Sequence, residues 1–582
     1  MAQRKRFLVV LIKPSHYDED GYVIQWYRSA IPSNTLATLY GLTLNCAERQ
    51  VLGADVDIEI EAYDETNTVI PIKRLIRRLK EADGGFVGFV GVQTNQFPHT
   101  VDMARQFRAA DLNVVIGGFH VSGCLSMLPA LPADIKAAQD MGITLYAGES
   151  EGRLDEVLVD AWNGTLPPLY NYMDDLPGMA EATRPFLPDN VVKRTAGAYT
   201  SFDSGRGCPF QCSFCTIINV QGRKSRYRTA DDIEQIIRAN AAQGITRYFV
   251  TDDNFARNRN WEQILDRLID LRENQGFRFK FILQVDTLAH RIPGFIEKAT
   301  RAGAHRIFIG LENINPDSLL GTKKRQNKIW EYRKMLQMWK SHGAMTYAGY
   351  ILGFPPDTPE SIARDVEIIK RELPLDLVEF FVLTPLPGSE DHQKLSAAGV
   401  DLDPDMNKYD LEHVTTDHPI MSRDELSRVY RDVWSRYYTP EHVETIMRRG
   451  AASGLKPKKM TLPLMWFTGA LAIEGIHPLE LGFWRRKVRT QRRHGLPIEN
   501  PLLFYPRRAW EIVQTHYQWA RLFLAYRAIQ KRIEADPAAK EYDDISLHPV
   551  SEAEENALDL MTEHGDAIPH THGAPRVGVA AE

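Results

Sequence analysis

The chain has no run of about eighteen uninterrupted apolar residues, the length a helix needs to cross a bilayer, so no transmembrane helix is expected in its 582 residues. It also lacks a basic excess, with 70 Lys and Arg against 76 Asp and Glu. Duplex-binding domains carry a positive surface, so nucleic acid is not the favoured partner. The apolar stretch 7–12 is too short for a signal-peptide core and no small-residue cleavage site follows it. A cytoplasmic location is expected. Cysteine is scarce: three of the five, Cys208, Cys212 and Cys215, fall within eight positions, while Cys46 and Cys124 stand alone. That distribution excludes a disulfide framework and concentrates any sulfur chemistry at one loop.

What is present is enough for three or four domains. Strand-like runs at 7–13, 56–61, 86–91, 113–117 and 143–146 alternate with helical segments, which predicts an α/β, Rossmann-like unit over 1–163 with a doubly wound parallel sheet. Ligands of such sheets sit beyond the carboxyl ends of the strands, so the loops beginning at Lys13, Gly91 and Gly117 should line one crevice. From 164 to 196 prolines interrupt the periodicity, as in an interdomain linker.

Next comes Gly205-Arg206-Gly207-Cys208-Pro209-Phe210-Gln211-Cys212-Ser213-Phe214-Cys215. Spacings of three and two intervening residues let one loop present three thiolates to an iron-sulfur cluster. A closed zinc site would need a fourth ligand, and none is identifiable. Six strand signals, at 199–204, 247–251, 280–285, 306–311, 345–352 and 377–383, then alternate with helices, the first with a capping box at Thr229 and Asp232. Residues at the carboxyl ends of these strands, Asp252, Asp253, Asn254, Gln284, Asp286, Glu312 and Gly353, are the site candidates.

The Cys-x3-Cys-x2-Cys motif with Phe214 before its last cysteine is the signature of the radical S-adenosylmethionine (SAM) superfamily. The resemblance implies a partial (β/α)6 TIM-type barrel over 197–398. It also implies a [4Fe-4S] cluster on the three cysteines and reductive cleavage of SAM to a 5'-deoxyadenosyl radical, with an electron donor such as flavodoxin or ferredoxin. Phe214, Asp252, Asp253, Gln284, Glu312 and Ile351 are carried over as SAM contacts: Thr251-Asp252-Asp253-Asn254-Phe255 stands where relatives often have Gly-Gly-Glu, and Gly349-Tyr350-Ile351-Leu352-Gly353 resembles the segment packed on adenine.

The loops Gly117-Gly118-Phe119-His120-Val121-Ser122 and Gly148-Glu149-Ser150-Glu151-Gly152 resemble those of the cobalamin-binding domain preceding many such barrels. That likeness nominates Gly91, Gly117, Gly118, His120, Ser122 and Gly148 as cobalamin contacts. The usual Asp-x-His-x-x-Gly motif is missing: His16 has neither the aspartate nor the glycine, and reads as a surface-loop histidine.

Beyond 399 helices dominate, predicting a helical C-terminal unit to 535 and a disordered tail over 536–582. Residues 462–476 are unusually apolar, and 483–489 are aromatic and basic. This suits peripheral membrane contact or a lipid-like substrate, although a core helix followed by a solvated basic face is the preferred reading. The resemblance implies a cobalamin-dependent methyltransferase acting on a small-molecule or lipid-like substrate. The alternative is a radical cyclase or rearrangement enzyme, with or without cobalamin. A methylthiotransferase is disfavoured, because Cys46 and Cys124 cannot supply three ligands to a second cluster.

Overall fold

The computed structural model describes residues 4–549. Strands β1 (Lys5–Lys13), β2 (Val56–Asp64), β3 (Gly84–Phe89), β4 (Val114–Gly117), β5 (Thr144–Ala147) and β6 (Leu169–Asn171) form a sheet in the order β2-β1-β3-β4-β5-β6. Every neighbouring pair is parallel. In β1 six consecutive residues are buried, as a central parallel strand covered on both faces requires. Their alternation feeds two cores: Leu8, Val10 and Ile12 pack with Val87 and Phe89 on one face, and Phe7, Val9 and Leu11 with Phe86 on the other. The order reverses between β1 and β3, which creates a switch point at their carboxyl ends. Strand β6 lies in the stretch expected to be linker: it is three residues long and pairs with β5, too short to leave a periodic signal.

A second sheet contains β7 (Tyr199–Phe202), β8 (Arg247–Val250), β9 (Lys280–Val285), β10 (Ala304–Glu312), β11 (Met345–Leu352) and β12 (Leu377–Val382). These six are parallel and lie side by side in chain order, with helices such as Ala230–Ala242, Trp261–Glu273 and Pro359–Glu372 in the connections. The expected capping box opens Ala230–Ala242: Thr229 accepts from the Asp232 N–H, and Asp232 reaches back. The register of β10 against β11 shifts between Ile309 and Glu312, and Glu312 takes a left-handed φ of +64°.

The C-terminal third holds the helices Arg423–Tyr437, Pro440–Ala452, Pro457–Gly469 and Pro501–Ala535. It differs from expectation in two ways. The basic stretch read as a solvated face includes a strand, Gly482–Arg486, paired antiparallel with Gln25–Ser29 near the other end of the chain. Arg485 and Lys487 there bond Asp18 at 2.9 Å and Asp20 at 3.0 Å, so remote carboxylates hold charges that local sequence would leave to water. The first part of the expected tail is also ordered. Pro537–Glu541 forms a 3-10 turn, Arg449 bonds Asp544 at 2.7 Å and Gln337 donates to the Ser546 carbonyl at 3.0 Å. Residues 550–582 lie outside the described part. No helix among the described residues is long and apolar enough to cross a membrane.

Candidate cluster and cofactor site

The three clustered cysteines follow β7 on a loop whose stem is a short antiparallel pair, Gly205–Arg206 with Arg226–Tyr227. The stem turns sharply at Gly207, where φ is +89° and a Cβ would meet the Lys224 carbonyl oxygen at 2.5 Å. Within the loop the Cys208 N–H donates to the Gly222 carbonyl and the Cys215 N–H to the Cys212 carbonyl, both at 3.2 Å. Cys212 is buried, and Cys208 and Cys215 are partly buried. Burial and the neighbouring Cys212 push the Cys215 thiol up to about 12. A thiolate there calls for a metal's positive charge, which deprotonates coordinating thiols. Three cysteines on one loop are a donor set for an iron-sulfur cluster with one iron left for another ligand; among the described residues no three ligating side chains are already gathered around a single metal-ion position.

Around the sulfurs stand groups that sequence reading missed. Gln326 Nε2 lies 3.5 Å from Cys212 Sγ. Lys324 is buried, carries its ammonium 5.8 Å from the Phe214 ring centroid, and pairs with Glu312. Glu312, carried over as a SAM contact, therefore has one carboxylate oxygen engaged. Lys324 lies outside every strand end, twelve residues beyond Glu312, and only the folded loop brings it back.

The two adjacent aspartates after β8 have different surroundings. Asp252 accepts from the Ser204 N–H at 2.6 Å, the Ser204 hydroxyl at 2.7 Å and Asn258 at 3.2 Å, so its carboxylate is committed to holding the turn after β7. Burial nevertheless pushes it up to about 6. Asp253 has a buried Oδ2 with no hydrogen-bond partner, and burial together with the Asp252 charge pushes it up to about 7. Gln284 donates to the Asp252 carbonyl at 3.3 Å. Asp286 is clamped by Arg257 at 2.5 and 2.8 Å. Ile351 is buried on β11 and its carbonyl accepts from Asn313 at 3.3 Å.

At the switch point of the first sheet a crevice is lined by Gly91, Gly117, Gly118, Ser122 and Gly148, with Arg206 and Gln221 from the cysteine loop. Gly118 is indispensable to its wall: φ is +152° and a Cβ would sit 2.1 Å from the Val92 nitrogen. Glycines strip side chains from one wall and let a bulky ligand reach the backbone, so the crevice fits part of a large cofactor such as a corrinoid. His120, nominated with these residues, does not line this crevice. Its ring faces the other way, bonded to Asp134 at 2.9 Å and Thr94 at 3.3 Å and packed 4.4 Å from the Phe97 ring. The helix that follows Gly118 carries His120 and Ser122 in different directions, which loop similarity could not reveal. His16 is also not the surface residue expected: it is buried and bonded to Glu480 at 2.6 Å.

One buried network joins crevice and cysteine loop. Arg206 bonds Asp203, Glu149 and Glu151, each at 2.6 Å, and Arg226 bonds Glu149 at 2.8 Å. Burial works against ionisation of Asp203, but Arg206 and Arg228 outweigh it and hold the carboxyl well below its ordinary range. The Gly148–Gly152 loop of the first sheet is thereby fixed to the stem of the cysteine loop.

Known proteins resemble this chain in sequence and fold. Residues 203–369 match the model of the radical SAM superfamily. The hopanoid C-2 methylase of Rhodopseudomonas palustris is 24% identical over 444 residues, which cover 72% of this chain and 79% of the relative. The radical SAM methyltransferase TsrM of Kitasatospora setae, solved with cobalamin and a [4Fe-4S] cluster bound, is 17% identical with a TM-score of 0.51, over 69% of this chain and 79% of that one. The cobalamin-dependent SAM radical enzyme OxsB, solved with aqua-cobalamin and SAM, is 12% identical with a TM-score of 0.53, over 96% and 83%.

Proposed function

We propose that this member of the radical SAM superfamily is a cobalamin-dependent C-methyltransferase acting at an unreactive carbon of a small or lipid-like molecule. The observation that carries the reading is the physical join between three cysteine sulfurs on one loop and a glycine-walled crevice, made by Arg206 through Glu149 and Glu151. When bound, a [4Fe-4S] cluster and SAM supply a 5'-deoxyadenosyl radical, and cobalamin supplies the methyl group. Cys208, Cys212 and Cys215 would hold the cluster in the mouth of a partial (β/α)6 barrel. Asp253, with its unpartnered oxygen, is the better acceptor for the SAM ammonium, while Asp252 keeps the turn in shape. Glu312, Gln284, Ile351 and Phe214 would complete the SAM pocket. Gly91, Gly117, Gly118, Ser122 and Gly148 would seat cobalamin, with His120 a support behind the wall. Electrons would come from a donor such as flavodoxin or ferredoxin. The methyltransferase reading also draws on the hopanoid C-2 methylase, which aligns with 72% of this chain at 24% identity.

A second reading is radical cyclisation or rearrangement, with or without cobalamin: it uses the same cluster and SAM, and the likeness in fold to the SAM radical enzyme OxsB does not specify methyl transfer. Anaerobic reconstitution with iron, sulfide and hydroxocobalamin, followed by reduction in the presence of SAM, separates the two. 5'-Deoxyadenosine together with S-adenosylhomocysteine supports methyl transfer; deoxyadenosine alone supports the second reading. Failure to bind corrinoid would overturn the role of cobalamin in both. Cys212→Ala is expected to abolish cluster assembly and deoxyadenosine formation together.

A further inference from the structure

The helix Pro501–Ala535 is packed on one side and bare on the other. Phe504, Tyr526, Ile529 and Ile533 are buried against the protein, as the inward face of a surface helix should be. Leu503, Trp510, Val513, Tyr517 and Leu524 are 70%, 61%, 59%, 62% and 64% exposed. They follow one another at intervals of seven, three, four and seven residues. That spacing places them on a single stripe, because residues three, four and seven apart share a helix face. Five large apolar side chains in one line exceed the scattered exposure normal for a protein surface.

Charge indicates what covers the stripe. Residues 456–535 contain fifteen Lys or Arg against five Asp or Glu, a local net charge of +10 in a chain whose total is -6. Asp18, Asp20, Asp405 and Glu444, from outside the segment, neutralise part of this. On the helix itself the guanidinium groups of Arg521 and Arg527 each lie 5.8 Å from the ring centroids of Tyr517 and Phe523. Cations beside exposed aromatic and aliphatic groups suit the headgroup boundary of an anionic bilayer, where each Lys or Arg near the surface adds attraction. A second copy on this stripe would bring two basic surfaces together, which disfavours self-association.

We infer that the Leu503–Leu524 stripe rests on an anionic lipid surface, with the helix lying in the plane of the headgroups. The test is flotation of the full, cluster-loaded chain with vesicles of phosphatidylcholine alone or mixed equally with phosphatidylglycerol. The expected result is at least tenfold greater capture by the anionic vesicles, weakened by high salt. Trp510→Glu with Leu524→Glu should lose at least tenfold of that capture, and Arg521→Gln with Arg527→Gln should lose several-fold without touching the apolar groups. Failure to float with anionic vesicles, or equal capture of a folded Glu variant, would overturn the inference. So would light scattering that finds a dimer converted to monomer by the Glu variant, since a second copy would then own the stripe.

Discussion

His16 Nε2 and Glu480 lie 2.6 Å apart, joining the loop after β1 to the segment before the Gly482–Arg486 strand. Burial alone would lower the imidazole pKa, but the Glu480 charge and hydrogen bond reverse this and leave it raised. The same contact leaves Glu480 lowered although burial opposes it. A raised histidine gives stability fully present below its unfolded pKa, about 6.5, and lost as pH climbs through the folded value. A lowered glutamate gives stability present above about 4.3 and lost on acidification. The contact is therefore strongest between these limits. His16→Ala should cost about 1–3 kcal/mol near pH 6, and its melting temperature relative to the parent should converge as pH rises, which calorimetry at pH 6 and pH 9 would check.

The aspartates after β8 should separate by assay. In Asp252→Asn an amide replaces one of the two oxygens that accept from Ser204, which should cost about 1–3 kcal/mol of stability. Asp253→Asn removes a carboxylate with a buried, unpartnered oxygen, so stability should hold. If Asp253 accepts the SAM ammonium, that variant should bind SAM roughly ten- to a hundredfold more weakly, the range of a charged hydrogen bond. Equilibrium dialysis with the reconstituted protein, beside thermal melts, distinguishes the two effects.

Neighbouring glycines should likewise diverge. Gly118→Ala forces a Cβ to 2.1 Å from backbone at φ +152°, and should disrupt the first unit. Gly117 has no left-handed φ, and its Cβ would meet Tyr146 at 3.3 Å, a contact that small shifts relieve. Gly117→Ala is expected to fold, to lose about tenfold in corrinoid retention by narrowing the crevice, and to keep reductive cleavage of SAM. Corrinoid absorbance after gel filtration, with deoxyadenosine measured in parallel, gives both readouts.

Much of this arrangement was legible because its signals are local. The three cysteines share one loop, and buried parallel strands such as β1 write themselves as continuous apolar runs. Information lying at a distance was not legible. His16 looked like a loop residue because its partner is 464 positions away, and Arg485 looked solvated because Asp18 answers it from the other end of the chain. His120 shares a loop with Ser122, but helix geometry aims it at Asp134 and away from the crevice. Lys324 required the fold to meet Glu312 at all.

Glu379 provides a test of the second sheet that is independent of any cofactor. It is 1% exposed on β12, and neither carboxylate oxygen has a hydrogen-bond partner. Burial raises its pKa well above the ordinary value, with Arg306 only partly opposing. The sign is opposite to that of a salt-bridged carboxylate: the unfolded chain ionises near pH 4.3 while the folded one holds its proton to higher pH, so folding is penalised increasingly as pH rises above that point. Glu379→Gln keeps shape and removes the titration. It should therefore match the parent near pH 4.5 and exceed it at pH 7.5 by an amount that grows with pH. Denaturant melts at the two pH values read this directly. An equal difference at both would mean that Glu379 is ionised in the fold and that a cation compensates it there.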